Sequence, residues 1–325
     1  MVANPYAFVS SDSSAAVQIG SAMRERMDRI VGRDFSVITR EQMNDALESF
    51  GYPADAILNP VVQRQFASTV GARTYLNSTL ARTNGTVRLT SRLVGLNDEA
   101  GRTVVVSGSA GNLASLGQQS AEQFEPTVDA LEDARKCINL SASEPEEAAD
   151  AARNALETDP LNGLAWYCLA EMAIKDSVPG DSIIALLENV VEGDSLSLNA
   201  WTLLAAQHEA AGDTAKVVAA FQEMIQIAPT NEELRKRAFQ YFIQAGRTEA
   251  ARAAVEEAIR TDPYNPDNYD LLSNVCIFES NYTCAVDALE QAYTIDSTKA
   301  DSTFYMKITV TAAQQPDTTR LLKWA

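Results

Sequence analysis

The stretch Ala245-Gly246-Arg247-Thr248-Glu249-Ala250-Ala251-Arg252-Ala253-Ala254-Val255-Glu256-Glu257-Ala258-Ile259-Arg260-Thr261-Asp262-Pro263 decides the fold. Its glycine can end one helix in the left-handed conformation, and its proline stops the next. Between them Ala251, Val255 and Ala258 share one helical face. The same punctuation stands at Ala228-Pro229, 34 residues before Asp262-Pro263, and again at Asp159-Pro160, while Ala211-Gly212-Asp213 repeats the glycine turn. A recurrence of that length marks an array of helical hairpins.

Laid out from this segment, the repeats start at Asp129, Gly163, Leu198, Glu232, Pro266 and Ala300, with one extra residue before Leu198. Trp166, Trp201, Arg235 and Tyr269 take the fourth place and Leu169, Leu204, Ala238 and Leu272 the seventh. Small Ala170, Ala205 and Ser273 follow at the eighth, where two helices must approach closely, and Ala148, Ala251 and Ala285 stand at the twentieth. Val217, Ser182 and Phe239 depart from the small-residue pattern, and the Asp176–Asp181 turn is irregular.

These registers resemble the tetratricopeptide repeat (TPR) family over residues 126–325, as about five and a half repeats of an all-α solenoid. The resemblance implies a protein–protein interaction scaffold whose concave surface holds another protein or a peptide segment. The family's contact positions correspond here to Tyr167, Glu171, Thr202, Glu209, Lys236, Gln240, Gln244, Asp270, Asn274 and Phe278. They lack the full basic and amide pattern of a terminal-carboxylate clamp, although Lys236 and Arg237 could meet one. The repeat positions also bring Cys137 near Cys168, and Cys276 near Cys284. Two disulfides and an oxidising compartment, or four buried thiols and a cytoplasmic home, are both open readings. The chain breaks off inside the second helix of the last repeat, leaving Leu321, Leu322 and Trp324 with no following helix to cover them: the expectation is that the native protein continues or that Trp324 docks elsewhere, and the uncapped helix is a candidate for self-association.

Residues 1–125 read differently. The spacing predicts strands at 2–9 and 35–38, with helices from Ser13 to Val31, after the Thr39/Gln42 capping box, and after Asn59-Pro60. A meander follows over 74–81, 87–94 and 103–107, with Asn84-Gly85 as the hairpin signal, and then a helix from Leu113 to Phe124. This is an α+β domain, a mixed sheet with covering helices. Its order, with Asn4-Pro5-Tyr6-Ala7-Phe8, Val37-Ile38-Thr39-Arg40, Val70-Gly71-Ala72-Arg73 and the segment from Arg92 to Asp98, resembles the TolB amino-terminal domain. That resemblance implies an assembly domain of the bacterial periplasm or cell envelope. The strand at 2–9 starts so early that upstream residues are expected to be missing.

Charge narrows the partners. The chain of 325 residues carries −18, of which residues 1–125, with 12 acidic residues and 11 arginines, contribute only −1. So acidic a chain repels nucleic acid and anionic lipid, and no apolar run is long enough to span a bilayer. Arg73, Arg82, Arg88, Arg92 and Arg102 beside the meander therefore read as a solvated or interdomain face. A basic or neutral partner segment suits the repeats.

Catalytic chemistry has little to stand on. The single histidine, His208, falls at a packing position, and no nucleophile elbow or nucleotide-binding loop occurs. Ser107-Gly-Ser-Ala-Gly111 reads as a loop into a helix whose amides could hold an anion. Cysteines outside any CxxC, with one histidine, argue against a metal, and no cofactor is expected. The Asn-x-Ser/Thr triplets at Asn77, Asn84, Asn139 and Asn281 carry little weight as glycosylation sites. The expected function is a non-enzymatic scaffold. The alternatives are the sensor or structural portion of a larger signalling or envelope chain, and an enzyme using an interdomain cleft.

Overall fold

A computed structural model describes residues 1–32, 35–315 and 318–325. It divides into two compact units, Met1–Leu203 and Leu204–Ala325.

The first unit opens with β1 (Tyr6–Ala7), α1 (Ser13–Ile30), α2 (Arg40–Ser49), α3 (Pro60–Thr69), β2 (Thr74–Thr83), β3 (Thr86–Gly95), β4 (Arg102–Ser109) and α4 (Leu113–Glu122). The strands lie in the order β1-β2-β3-β4, β1 parallel to β2 and the others antiparallel. Asn84 and Gly85 both have positive φ, as a two-residue hairpin turn requires. Thr39 and Gln42 form the reciprocal capping box on α2, and Asn59 caps α3 ahead of Pro60. Leu76, Leu80, Leu89, Val104 and Val106 line one sheet face and pack against Ile19 and Met23 of α1 and Leu116 of α4. Gly117 permits the contact of α1 with α4, since a Cβ there would lie 2.7 Å from the Ile19 carbonyl oxygen.

Two expected strands fail in instructive ways. The strand at 2–9 contracts to Tyr6–Ala7 and a bridge from Val2 to Leu76. Pro5 has no N–H to donate, and the Asn4 side chain turns aside to accept from Arg24 and donate to the Asp55 carbonyl. Residues 35–38 form no strand, and Phe35 is 39% exposed. Val37 and Ile38 instead send their side chains into two different clusters. A short apolar run anchors a linker as readily as it builds a strand.

Five more helices belong wholly to the first unit: α5 (Glu125–Asp129), α6 (Leu131–Leu140), α7 (Pro145–Thr158), α8 (Gly163–Lys175) and α9 (Gly180–Gly193). Then α10 (Leu198–Ala210) crosses the division between the units. The second unit continues with α11 (Thr214–Ile227), α12 (Glu232–Gln244), α13 (Thr248–Thr261), α14 (Pro266–Phe278), α15 (Tyr282–Ile295), α16 (Ser302–Ala312) and α17 (Thr318–Trp324). Helices α8, α10, α12 and α14 begin at the four repeat starts read from the sequence. The final repeat begins two residues late, at Ser302 instead of Ala300, because Ser297–Lys299 forms a 3-10 turn.

The first repeat's helix, α6, begins at Leu131 instead of Asp129 and has no side-chain cap, but a shared local device sets the five later starts. Asn162, Ser197, Asn231, Asn265 and Asp301 precede their helices and accept a backbone N–H from within the first turn. The side chain at the fourth place then reaches back six residues. Trp166 donates to the Pro160 carbonyl, Trp201 to Ser195, Tyr269 to Pro263, and Arg235 to Pro229. The atypical arginine thus satisfies the same loop carbonyl as its aromatic counterparts.

The sheet is bolted to the first hairpins through Asp194, just after α9. Its carboxylate has no solvent exposure and accepts from the Arg92 guanidinium at 2.8 Å, the Gly101 amide at 2.7 Å and the Thr103 hydroxyl at 2.6 Å. The Arg102 guanidinium donates to the Gly193 carbonyl, and the Ser197 hydroxyl to that of Glu99. Gly163 makes room here, for a Cβ would sit 2.4 Å from the Gly101 carbonyl oxygen. Arg92 and Arg102 therefore face the repeats, Arg82 pairs with Asp12, and Arg73 and Arg88 are exposed.

Both disulfides are formed. Cys137–Cys168 joins α6 to α8, and Cys276–Cys284 joins α14 to α15. At the chain's end Trp324 takes the docked alternative: it packs on Tyr293 and Phe304 and donates to Glu290 at 3.0 Å, and Leu321 lies against the same cluster. Only Leu322 of the three apolar residues is exposed.

Candidate partner-binding groove

Repetition places first-helix residues in rows. In the second unit α12, α14 and α16 present Lys236 and Gln240; Asp267, Asp270, Leu271 and Asn274; and Thr303, Phe304 and Lys307 to one groove of about 640 Å³. Spacings of three and four keep each set on one helical face. Tyr293 and Asp296 of the α15 end also line it.

The groove's charges answer one another. Asp267 lies between Lys299 at 3.0 Å and Lys236 at 3.6 Å, and Lys307 donates to Asp270 at 2.6 Å. The hydrogen bond to Asp267 holds the Lys299 ammonium above the ordinary lysine range. Asp296 is held below the usual carboxylate range by the Thr298 hydroxyl and amide. Each of these three lysines is paired with a groove carboxylate. Arg237, named with Lys236 as a candidate to meet a terminal carboxylate, lies over the Phe221 ring.

Of the ten residues assigned to a concave surface, Lys236, Gln240, Asp270 and Asn274 meet in this groove. Glu209, Gln244 and Phe278 are exposed elsewhere in the second unit, Glu171 is exposed in the first, and Thr202 is half-buried there. Tyr167 needs correction. It is only 3% exposed, packed with Ala100, Val190 and Ala200, with its hydroxyl accepting from Asn199. Burial and the neighbouring Glu171 charge drive its ionisation upward. Ala100, in the connection between β3 and β4, covers a position that a bare repeat would expose.

Asp267, Lys299 and Lys307 were missed. Asp267 takes a second place, which the family's positions could have flagged; Lys307 takes none of those positions, whether counted from Ala300 or from Ser302. His208 is buried. Among the described residues no three metal-ligating side chains converge, and no helix is long and apolar enough to cross a membrane.

The architecture defines a class: a small mixed sheet with covering helices followed by an array of helical hairpins. Residues 208–275 match the tetratricopeptide repeat family model. No curated protein matches the chain. Similar solved structures include MamA, from residue 41 to the end, of Desulfovibrio magneticus RS-1, 10% identical, covering 50% of this chain and 90% of that one at a TM-score of 0.34. Another is YrrB, a TPR protein with an unusual peptide-binding site, 16% identical, covering 57% and 93% at 0.35. A third is PilW, a type IV pilus biogenesis factor, 14% identical, covering 60% and 90% at 0.32.

Proposed function

We propose that this chain is a non-enzymatic interaction scaffold that grips a segment of another polypeptide in the α12–α14–α16 groove. The observation that carries the reading is the convergence of Lys236, Gln240, Asp270 and Asn274, on successive first helices, into one open groove. Gln240 and Asn274 offer amide donors and acceptors suited to an extended backbone. Residues 1–125 act as an assembly module and 126–325 as the repeat module, with Glu171, Thr202, Glu209, Gln244 and Phe278 as further contact positions. Two disulfides and the TolB-like order of residues 1–125 support an oxidising home, the bacterial periplasm or cell envelope. The buried Asp194 bolt favours, as a second reading, a structural portion of a larger envelope or signalling chain.

The test is selection of peptides from a random library on the oxidised full chain, followed by titration of the selected peptides. Gln240→Ala combined with Asn274→Ala is expected to weaken them more than tenfold with an unchanged circular dichroism spectrum. Peptides bound equally well by this variant would overturn the groove as the site.

A further inference from the structure

We propose that the outer edge of β4 pairs with the same edge of a second copy of this chain. β4 ends the sheet order, so one side of it meets β3 and the other meets no strand. Thr83 and Thr86 flank the two-residue turn and bond to each other, which sends the backbone groups of even-numbered β3 residues toward β2 and of odd-numbered ones toward β4. With Leu89 opposite Val106 and Ser91 opposite Val104, the even residues of β4 bond to β3. Val105 and Ser107 therefore direct N–H and C=O outward.

The neighbouring groups are occupied. The Thr103 carbonyl accepts from Arg102 at 2.6 Å, and that of Ser109 from the Asn112 amide at 3.1 Å. Among the described residues the backbone groups of Val105 and Ser107 have no partner, and both residues are exposed, Val105 by 45%. Such edges are ordinarily guarded by a lysine, a proline, a bulge or brevity. β4 has none of these, running eight residues in unbroken register. At the opposite edge β1 has only two residues.

Charge and symmetry select the occupant. Between Arg102 and Glu122, a span holding the rest of β4 and nearly all of α4, no residue is charged. In a chain of net −18 this is a surface where two copies can meet without like-charge repulsion. A two-fold axis pairs an edge strand antiparallel with its own copy whatever its sequence, and Thr103-Val104-Val105-Val106, β-branched throughout, favours the extended backbone such a pair needs.

Sedimentation equilibrium of the oxidised full chain over a concentration series, at low and high salt, tests this. The expected result is a reversible dimer whose dissociation constant barely responds to salt. Val105→Pro removes an outward N–H and leaves the β3 ladder intact, so it should raise that constant about tenfold or more. Ser107→Lys, which adds a charge to the edge, should do the same and decides the matter if the proline variant misfolds. A chain that sediments as a monomer throughout, or a dimer that the folded variants leave unchanged, would overturn the proposal.

Discussion

Asp194 in the first unit and Asp270 in the second both meet a basic side chain at hydrogen-bond distance, yet they stand in opposite circumstances. Asp194 is wholly enclosed and shares its oxygens among a guanidinium, an amide and a hydroxyl. Asp270 is 47% exposed and faces Lys307 from the wall of an open groove. A buried charge with every lone pair used fixes one geometry, because any displacement leaves it unsolvated. An exposed pair costs little to rearrange and is suited to exchange its partner for a ligand's group.

The comparison can be broken most directly at Asp194. Asp194→Ala strands the Arg92 guanidinium and the Gly101 amide in the interior, with an expected loss of about 3–5 kcal/mol in the unfolding transition of the first unit, read by denaturant titration. A loss near that of a surface substitution would mean the bolt is ornamental. Next come the disulfides. Removing Cys137–Cys168 by paired Ala substitutions should cost about 2–4 kcal/mol, and roughly 1 kcal/mol more than removing Cys276–Cys284, since the sequence separations are 31 and 8. Equal losses would show that loop closure is not what these bridges supply.

Within the repeats, Arg235→Ala should cost about 1–2 kcal/mol by freeing the Pro229 carbonyl, and Arg235→Trp should recover most of it in thermal melts. Failure of the tryptophan to rescue would separate this repeat from its neighbours. The smallest expected stability effect is Lys307→Ala, below about 1 kcal/mol. The same variant should nevertheless change the affinity for groove-selected peptides. A large fall in stability there would erase the contrast with Asp194.

Much of the repeat framework was legible because its signals are local. A capping Asn or Ser, a residue at the fourth place that reaches back six, and a closing proline all act within a few residues. The starts at Gly163, Leu198, Glu232 and Pro266 are accordingly the first residues of α8, α10, α12 and α14. Lys236, Gln240, Asp270 and Asn274 were legible for the same reason, since repeat positions translate into one helical face. Tyr167 obeyed the same rule and was buried all the same, by Ala100 of the β3–β4 connection, far from it in sequence.

The amino-acid sequence by itself determined the period, the starts of α8, α10, α12 and α14 and the two cysteine pairs its repeat positions bring together, because each follows from spacing along one or two hairpins. Tertiary structure decided the rest. Asp159, Asp194, Asp262 and Asp296 all stand at the ends of second helices, and no local feature marks which of them will anchor the sheet. Only the packing of Gly163 against Gly101 brings Asp194 within reach of Arg92, Gly101 and Thr103. Burial is a property of the surfaces that meet, and those surfaces come from residues about a hundred positions apart.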